Sequence, residues 1–180
     1  MPEIEIRPAS STDIPELVSL DHNYTTDYVW QMEVQQTQDG LVGVQFREVR
    51  LPRSVRVEYP RRPQHLMDDW HNRSGLLVAI MQGERVGYIG LSLGLAPLTA
   101  WACDLVVKRR VRRQGIGSAL VIAACEWGEV HQCRNLILEM QPKNYPAIKM
   151  ARKLGFEMCG YNDRYYANHD IGLFFAKSLH

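Results

Sequence analysis

WACDLVVKRRVRRQGIGSAL, residues 101–120, contains the two local signals that decide the fold. The run Leu105–Val107 is aliphatic and predicts a buried strand. From Gly115 onward, apolar residues recur at helical spacing and fill most of the circumference, which predicts a helix over 115–131 that is buried on more than one side. The stretch therefore predicts a strand, a basic turn with glycines and a helix, in that order.

The turn has the features of an anion site. Glycine at 115 and 117 exposes the backbone at a helix start, where four amides have no intrahelical partner. The helix dipole adds about half a positive charge there, and Arg112 and Arg113 carry forked donors that suit phosphate oxygens. A bare run of cations would favour a solvated loop or a nucleic-acid patch. The glycines and the flanking elements favour a phosphate-bearing ligand instead.

The turn also resembles a known cofactor-binding signature. Arg112-Arg113-Gln114-Gly115-Ile116-Gly117 resembles the motif of the GNAT superfamily of acyl-CoA N-acyltransferases, which has Arg or Gln, two residues, Gly, one residue, and Gly or Ala. Downstream, Asn144-x-x-Ala147 and Leu154-Gly155-Phe156 resemble the second cofactor segment of that family. The resemblance covers about residues 76–177 and implies acetyl-CoA as the co-substrate. The implied cofactor-binding residues are Leu105, Val106, Val107, Arg112, Arg113, Gln114, Gly115, Ile116, Gly117, Ser118 and Asn144.

The resemblance implies an α/β fold with a GNAT-type mixed, mostly antiparallel sheet, splayed at its centre, and helices on both faces. The residues agree with that architecture. They predict three antiparallel strands at 76–81, 85–95 and 98–107, and a strand at 135–140 that is parallel to the third. The other predicted elements are a strand at Ile4–Arg7, a helix from Ser11 or Thr12 to about His22, a helical turn at Gln64–Asn72, a helix from Asn144 to Leu154, and a last strand at Ile171–Lys177.

The segment 28–59 departs from the family's usual short helix. Tyr28–Gln35 and Leu41–Arg50 are rich in valine and aromatic residues, and the Asp-Gly pair between them is a hairpin signal. We expect a β-hairpin insertion over 28–59 near the acceptor groove. Acidic residues would then line the mouth of the groove and favour a cationic acceptor, whose turnover would fall as salt rises. These residues are Asp27, Glu33, Asp68, Asp69 and Asp104.

Within the superfamily, short matches such as Leu138-Glu139-Met140-Gln141 and Tyr166-Ala167-Asn168 resemble the streptothricin acetyltransferase branch. The expected function is N-acetyl transfer from acetyl-CoA to the amine of a small, cationic acceptor by direct attack. A peptide or protein acceptor stays open as an alternative, and so does a catalytically weak acyl-CoA-binding module.

Three residues are candidates for the chemistry. Asp104 is a candidate general base on the reactive strand, although a carboxylate that pairs with an arginine or binds the acceptor's cation is equally consistent. Glu139 is the second candidate, with a buried, hydrogen-bonded carboxylate as the alternative.

The third candidate follows from a departure from the family. Many members have a tyrosine in the second cofactor helix that protonates or orients the CoA sulfur, whereas Ala151 is at that place here. Either another hydroxyl substitutes, with Tyr166 as our candidate and Tyr145, Tyr161 and Tyr165 also available, or the thiolate leaves without direct protonation.

The composition excludes several classes of protein. A chain of 180 residues with a net charge of +1 predicts one domain, 1–180, without a nucleic-acid-binding surface. No apolar stretch approaches the ~20 residues of a membrane helix, so no membrane association and a cytoplasmic location are expected. The four cysteines and six histidines lack metal-binding spacing, and no metal is predicted. The expected partner is a small-molecule amine, and a homodimer stays open.

Overall fold

The computed structural model describes residues 3–179. Within that range the elements are β1 (Ile4–Pro8), α1 (Ile14–Val18), β2 (Tyr24–Gln36), β3 (Val42–Val57), α2 (Gln64–Asp69), β4 (Gly75–Met81), β5 (Glu84–Ser92), β6 (Thr99–Val107), α3 (Ile116–Val130), β7 (Asn135–Met140), α4 (Tyr145–Lys153), β8 (Glu157–Asn162) and β9 (Gly172–Ser178). None of the helices described is long and apolar enough to cross a membrane.

Seven strands form one sheet in the order β1-β4-β5-β6-β7-β9-β8. Only β6 and β7 run parallel among the neighbouring pairs of the described sheet, which confirms the predicted mixed, mostly antiparallel architecture. α3 and α4 pack on one face, against residues such as Leu77 and Ile89. α1 and α2 pack on the other, against Val78 and Tyr88. β4 and β5 are apolar along most of their length because both of their faces are covered.

The sheet opens between β6 and β7, as the resemblance implies. Parallel pairing between these strands ends at Ala102 and Leu138. A bulge follows in β6, where Cys103 is the extra residue between two registers with β5. From Cys103 to Val107, β6 is therefore paired on one side only, and its other edge presents backbone groups to the opening.

β2 and β3 form a separate two-stranded antiparallel sheet. It begins earlier than the expected segment 28–59, because β2 starts at Tyr24, and β3 is one strand that continues to Val57. The amide of Trp30 donates a hydrogen bond to the carbonyl of Pro142 (2.9 Å), and the Trp30 ring packs against Phe175 of β9. The hairpin therefore lies over the end of β7 and the start of α4.

Two elements differ from the predictions. α1 ends at Val18 rather than near His22, because the buried His22 ring bonds the Leu20 carbonyl (2.7 Å) and the Tyr88 hydroxyl (2.9 Å). The sequence predicts no strand at β8. That strand lies at the edge of the sheet, is mostly exposed or half-buried, and contains a bulge at Cys159, so its side chains lack the alternation that would reveal it.

Candidate active site

The turn before α3 has the geometry of an anion site. Gly115 precedes the helix with a φ of +86°, which side-chain-bearing residues rarely adopt, and a Cβ there would meet nothing within 4 Å. The Ile116 side chain is buried in the core, so this residue offers only its amide. Ser118 follows in the first turn of α3, and Arg113 and Gln114 are exposed next to the helix start. Free amides and the helix dipole together favour a bound phosphate group.

The Arg112 side chain is engaged with backbone carbonyls. Its guanidinium donates to Val107 (2.7 Å), Asn23 (2.8 Å) and Asp21 (2.5 Å), and so ties the loop after α1 to the end of β6. Arg113 therefore offers the more accessible guanidinium of the pair.

An inner cavity fills the opening between β6 and β7. Leu105 and Leu138 line it from the two strands, and Asn144 lines it from the start of α4, where its Oδ1 accepts a hydrogen bond from the amide of Ala147 (3.3 Å). Met150 also lines the cavity and lies 3.2 Å from the position of a Cβ on Gly117. The helix start and the splayed strands therefore border the same cavity.

Val106 and Val107, at the end of β6, lie on opposite faces of the sheet. Val106 points into the core on the α1–α2 face and can contribute only its backbone. Val107 lies on the opposite face, next to Gly117.

Asp104 is a buried carboxylate held by residues of two connecting segments, one on each side of α2. Its Oδ2 accepts a hydrogen bond from Arg73 Nη1 (2.6 Å), its Oδ1 accepts one from the Tyr59 hydroxyl, and Arg61 lies 3.9 Å from Oδ1. Burial alone would raise the pKa of Asp104. The two arginines and the Tyr59 hydroxyl outweigh burial, and the pKa lies below its ordinary value. The carboxylate therefore stays ionised at neutral pH.

Glu139 is the second buried carboxylate, with 1% of its side chain exposed. Its Oε1 pairs with Arg61, and its Oε2 accepts hydrogen bonds from the Trp101 indole (2.5 Å) and the Tyr165 hydroxyl (2.6 Å). Both oxygens have partners, as a buried carboxylate requires.

Arg61 lies between the inner cavity and an outer one. The outer cavity has a volume of about 300 Å³ and is lined by Arg73, Asp104, Asp69 and His65 among others. Arg61 and Cys103 line both cavities. The Arg61 guanidinium donates hydrogen bonds to the Cys103 carbonyl on β6 (2.8 Å) and to Glu139 on β7. It therefore bridges the two strands that separate.

The five acidic residues expected at the mouth of the acceptor groove do not lie together in the structure. Asp69 and Asp104 line the outer cavity, but two arginines accompany them there. Asp27 and Glu33 lie on the hairpin and bond Ser54 and Arg47, and Asp68 is exposed on α2.

The four candidate tyrosines have separate surroundings. Tyr145 packs on Tyr28 and Tyr161 on Phe46, both against the hairpin. Tyr165 donates to Glu139. Tyr166 is buried and lines the inner cavity, and its hydroxyl has no hydrogen-bond partner among residues 3–179. Burial and the nearby Glu139 raise the pKa of Tyr166, so its hydroxyl keeps its proton at neutral pH. The Ala151 side chain is buried in the core.

Sequence reasoning missed Tyr59, Arg61 and Arg73. They contact carboxylates 31 to 78 residues away along the chain. The only local signal was the proline-flanked pair Arg61-Arg62, which predicts a break in regular structure and no more. Among residues 3–179, no group of three or more His, Cys, Asp or Glu side chains is arranged to hold a metal ion.

The chain is similar to several known acetyltransferases. A streptothricin acetyltransferase of Streptomyces lavendulae is 27% identical over 167 residues, which are 90% of this chain and 86% of the relative. An N-alpha-acetyltransferase of Sulfurisphaera tokodaii is 31% identical over 117 residues, which are 59% of this chain and 70% of the relative. The crystal structure of a nourseothricin acetyltransferase superposes with a TM-score of 0.82 and 25% identity, covering 98% of this chain and 99% of the other.

Residues 44–156 match the acetyltransferase (GNAT) family. This region includes the splayed strands, the turn before α3 and the cap of α4. The protein therefore belongs to the GNAT family and is an acetyl-CoA-dependent N-acetyltransferase.

Proposed function

We propose that the acceptor is the amine of a small, cationic molecule, which attacks acetyl-CoA directly. The C–S bond of the thioester breaks and a C–N bond forms. An acceptor that arrives as an ammonium first gives one proton to water, and the neutral amine then attacks. A second proton passes from the nitrogen to the CoA sulfur, which leaves as a thiolate. The observation that carries this proposal is the pair of ionisable carboxylates, Asp104 and Glu139, buried where β6 and β7 separate. The relative named as a streptothricin acetyltransferase, which matches 90% of this chain, supports the same acceptor class.

The chain's residues fit acetyl-CoA, which supplies a reactive acetyl thioester. The amides of Gly115, Ile116 and Gly117 would hold its pyrophosphate, because the open backbone at Gly115 admits a close approach and the helix dipole favours the charge. Arg113 would add a cation. The edge of β6 that has no neighbouring strand, from Cys103 to Val107, would bond the pantetheine amides through the backbone groups that Arg61 and Arg112 do not already occupy.

The three candidate residues would act in different ways. Asp104 acts as a fixed negative charge rather than as a proton acceptor, because its pKa lies below its ordinary value. Glu139 offers a carboxylate to the acceptor's ammonium. The Tyr166 hydroxyl, protonated and without a partner in the inner cavity, is positioned to orient the sulfur or give it a proton.

A peptide N-terminus is the second candidate acceptor. The similarity to an N-alpha-acetyltransferase favours it. The hairpin argues against it, because the Trp30–Pro142 hydrogen bond and the bond from the Tyr24 hydroxyl to Gln141 (2.6 Å) close one side of the site. An extended chain needs an open groove on that side.

Release of CoA thiol from acetyl-CoA with a panel of acceptors tests the proposal. The panel contains streptothricin, 1,4-diaminobutane, a neutral primary amine, an amino acid and a peptide with a free N-terminus. We expect the cationic small molecules to give the highest kcat/KM. A preference for the peptide, or for a neutral or anionic amine, would contradict the proposed cationic acceptor. Tight acetyl-CoA binding without turnover of any acceptor would instead support the weak acyl-CoA-binding module.

A further inference from the structure

The Arg61 guanidinium is a cation at the junction of the outer and inner cavities. An amine that enters through the outer cavity must reach the inner cavity to meet the thioester, and Arg61 lines both. Arg61 lies in the irregular segment between β3 and α2, and 29% of its side chain is exposed. The guanidinium is therefore reachable from solvent, although its partner Glu139 is not.

The surroundings of Glu139 are those of a cation-binding site. Arg61 lies over the ring of Tyr166, with 5.1 Å from Cζ to the ring centroid. Trp101 and Tyr165 donate to Glu139, and both rings pack edge-on against Phe174 at 5.1 and 5.2 Å between centroids. A buried carboxylate together with aromatic faces binds organic cations through charge and through the negative face of the ring.

A cation at this position balances the charge of the buried Glu139 carboxylate. Removing one partner of a buried ion pair leaves an uncompensated charge, which is strongly destabilising. The two remaining donors, from Trp101 and Tyr165, are neutral. An incoming ammonium preserves the charge balance when it replaces the guanidinium, so the exchange avoids that cost.

We infer that Glu139 and the Tyr166 ring form the subsite for the acceptor's ammonium group, and that the Arg61 guanidinium fills this subsite until an acceptor displaces it. This inference deepens the proposed function and rests on its cationic acceptor. It specifies the acceptor as a primary ammonium at the end of a chain slender enough to follow the path of the Arg61 side chain. It also makes Arg61 a competitor of the acceptor, not a ligand of it.

Binding of methylammonium to Arg61→Gln, measured by calorimetry without acetyl-CoA, tests the inference. We expect the variant to bind methylammonium at least about tenfold more tightly than the parent, which corresponds to Arg61 filling the subsite for about nine-tenths of the time or more. Arg62→Gln is the matched control, because it removes the same charge from the adjacent, exposed residue. It should bind methylammonium like the parent. Equal affinities of Arg61→Gln and the parent would overturn the inference.

Adding Glu139→Gln to Arg61→Gln should abolish methylammonium binding. Unchanged binding in that double variant would place the cation elsewhere and also overturn the inference. These measurements involve no acetyl transfer. Binding without turnover would therefore contradict the proposed function alone, and turnover of cationic acceptors without the binding change would contradict this inference alone.

A second measurement uses the parent protein, in case Arg61→Gln does not fold. Phenylglyoxal modifies accessible arginines, and mass spectrometry locates the modified residues. Saturating methylammonium should speed modification of Arg61, because the displaced guanidinium becomes exposed, and should leave Arg62 unchanged. An unchanged or slower rate at Arg61 would overturn the inference.

Discussion

Gly90 lies opposite Asp104 and leaves space for Arg73 to reach that carboxylate. The two residues are paired in the β5–β6 register, and a Cβ on Gly90 would lie 2.3 Å from Arg73 Nη1. The sheet could accommodate an alanine at this position, because the end of an arginine side chain can move. The cost would fall on the Arg73–Asp104 hydrogen bond.

Gly90→Ala should therefore displace Arg73 from Asp104 and impair the acceptor side of the reaction. Loss of one charge-assisted hydrogen bond is worth roughly 1.5–3 kcal/mol, so we expect kcat/KM for the acceptor to fall at least about tenfold while acetyl-CoA affinity is retained. Steady-state kinetics measures both. Gly43→Ala is the control, because a Cβ at that strand position meets nothing within 4 Å. Parent-like kinetics of Gly90→Ala would show that Arg73 does not support Asp104.

Asp13 is a buried carboxylate that anchors α1 to β1 and β5. It accepts hydrogen bonds from Arg7 (2.8 and 3.0 Å), Arg85 (2.9 Å) and the Ser10 amide (2.8 Å). The Arg7 hydrogen bonds are the main reason that the pKa of Asp13 lies well below its ordinary value. A group whose pKa falls on folding stabilises the folded state above its unfolded pKa, about 3.9 for Asp, and loses that contribution as the pH falls further.

Asp13→Asn should destabilise the protein by roughly 3 kcal/mol at pH 7, since the variant loses the buried ion pairs of Asp13 with Arg7 and Arg85. For a domain of this size, that corresponds to a Tm lower by roughly 6–12 °C. The difference in Tm should narrow as the pH falls below about 4, because Asp13 of the unfolded parent then takes up a proton that the folded carboxylate resists. Thermal unfolding followed by circular dichroism measures both effects. The control is Asp163→Asn at an exposed residue, which should leave Tm unchanged. A Tm difference that does not vary with pH would contradict this account.

At the scale of elements, the start of α3 depends on a backbone conformation that only glycine adopts readily. Gly115→Val should abolish acetyl-CoA binding, because a β-branched residue with positive φ distorts the turn and its side chain covers the amides. Gly40→Val is a matched control: Gly40 has a φ of +85° and equally open surroundings, but it lies in the turn between β2 and β3. Calorimetry should show a similar loss of stability in both variants and a loss of acetyl-CoA binding in Gly115→Val alone. Retained binding in a folded Gly115→Val would contradict the proposed pyrophosphate site.

The elements that were predicted correctly are those whose ends are determined by residues adjacent in the sequence. Gly115 and the apolar spacing after it identify α3, and Asn144 with Gly155 delimits α4 closely, because capping and left-handed glycines act within one turn. The end of α1 is set by the bond from His22 to Tyr88, 66 residues away. The arginines of the site are equally non-local, since Arg61 and Arg73 meet Glu139 and Asp104 only in the folded chain. No spacing rule contains that information.

At the scale of the whole molecule, the charge around the site is nearly balanced. The chain carries a net charge of +1, and the outer cavity is lined by Asp69 and Asp104 together with Arg61 and Arg73. The acids on the hairpin already have partners. Long-range attraction of a cationic acceptor is therefore weaker than the sequence alone led us to expect.

We accordingly predict that kcat/KM for the best cationic acceptor changes less than about threefold between 50 and 500 mM salt. Screening mainly weakens interactions between exposed charges farther apart than about 10 Å, whereas the pairing expected at Glu139 is short-range and buried. Initial rates over that salt series measure the effect, with acetyl-CoA saturating at every salt concentration. A decrease of more than about tenfold would mean that acids outside the outer cavity attract the acceptor.

The separate two-stranded sheet has a consequence for the cooperativity of the fold. Among the residues described, one backbone hydrogen bond, from Trp30 to Pro142, joins β2 or β3 to the loop that follows β7, and the buried indole nitrogen of Trp30 has no partner. Segments with few backbone links to the core open independently of global unfolding. In native-state hydrogen exchange, the amides that pair β2 with β3 should therefore exchange together, at a lower free energy than those of β4 and β5. The hairpin would then behave as a small folding unit of its own, which opens and closes many times while the acetyl-CoA site stays intact.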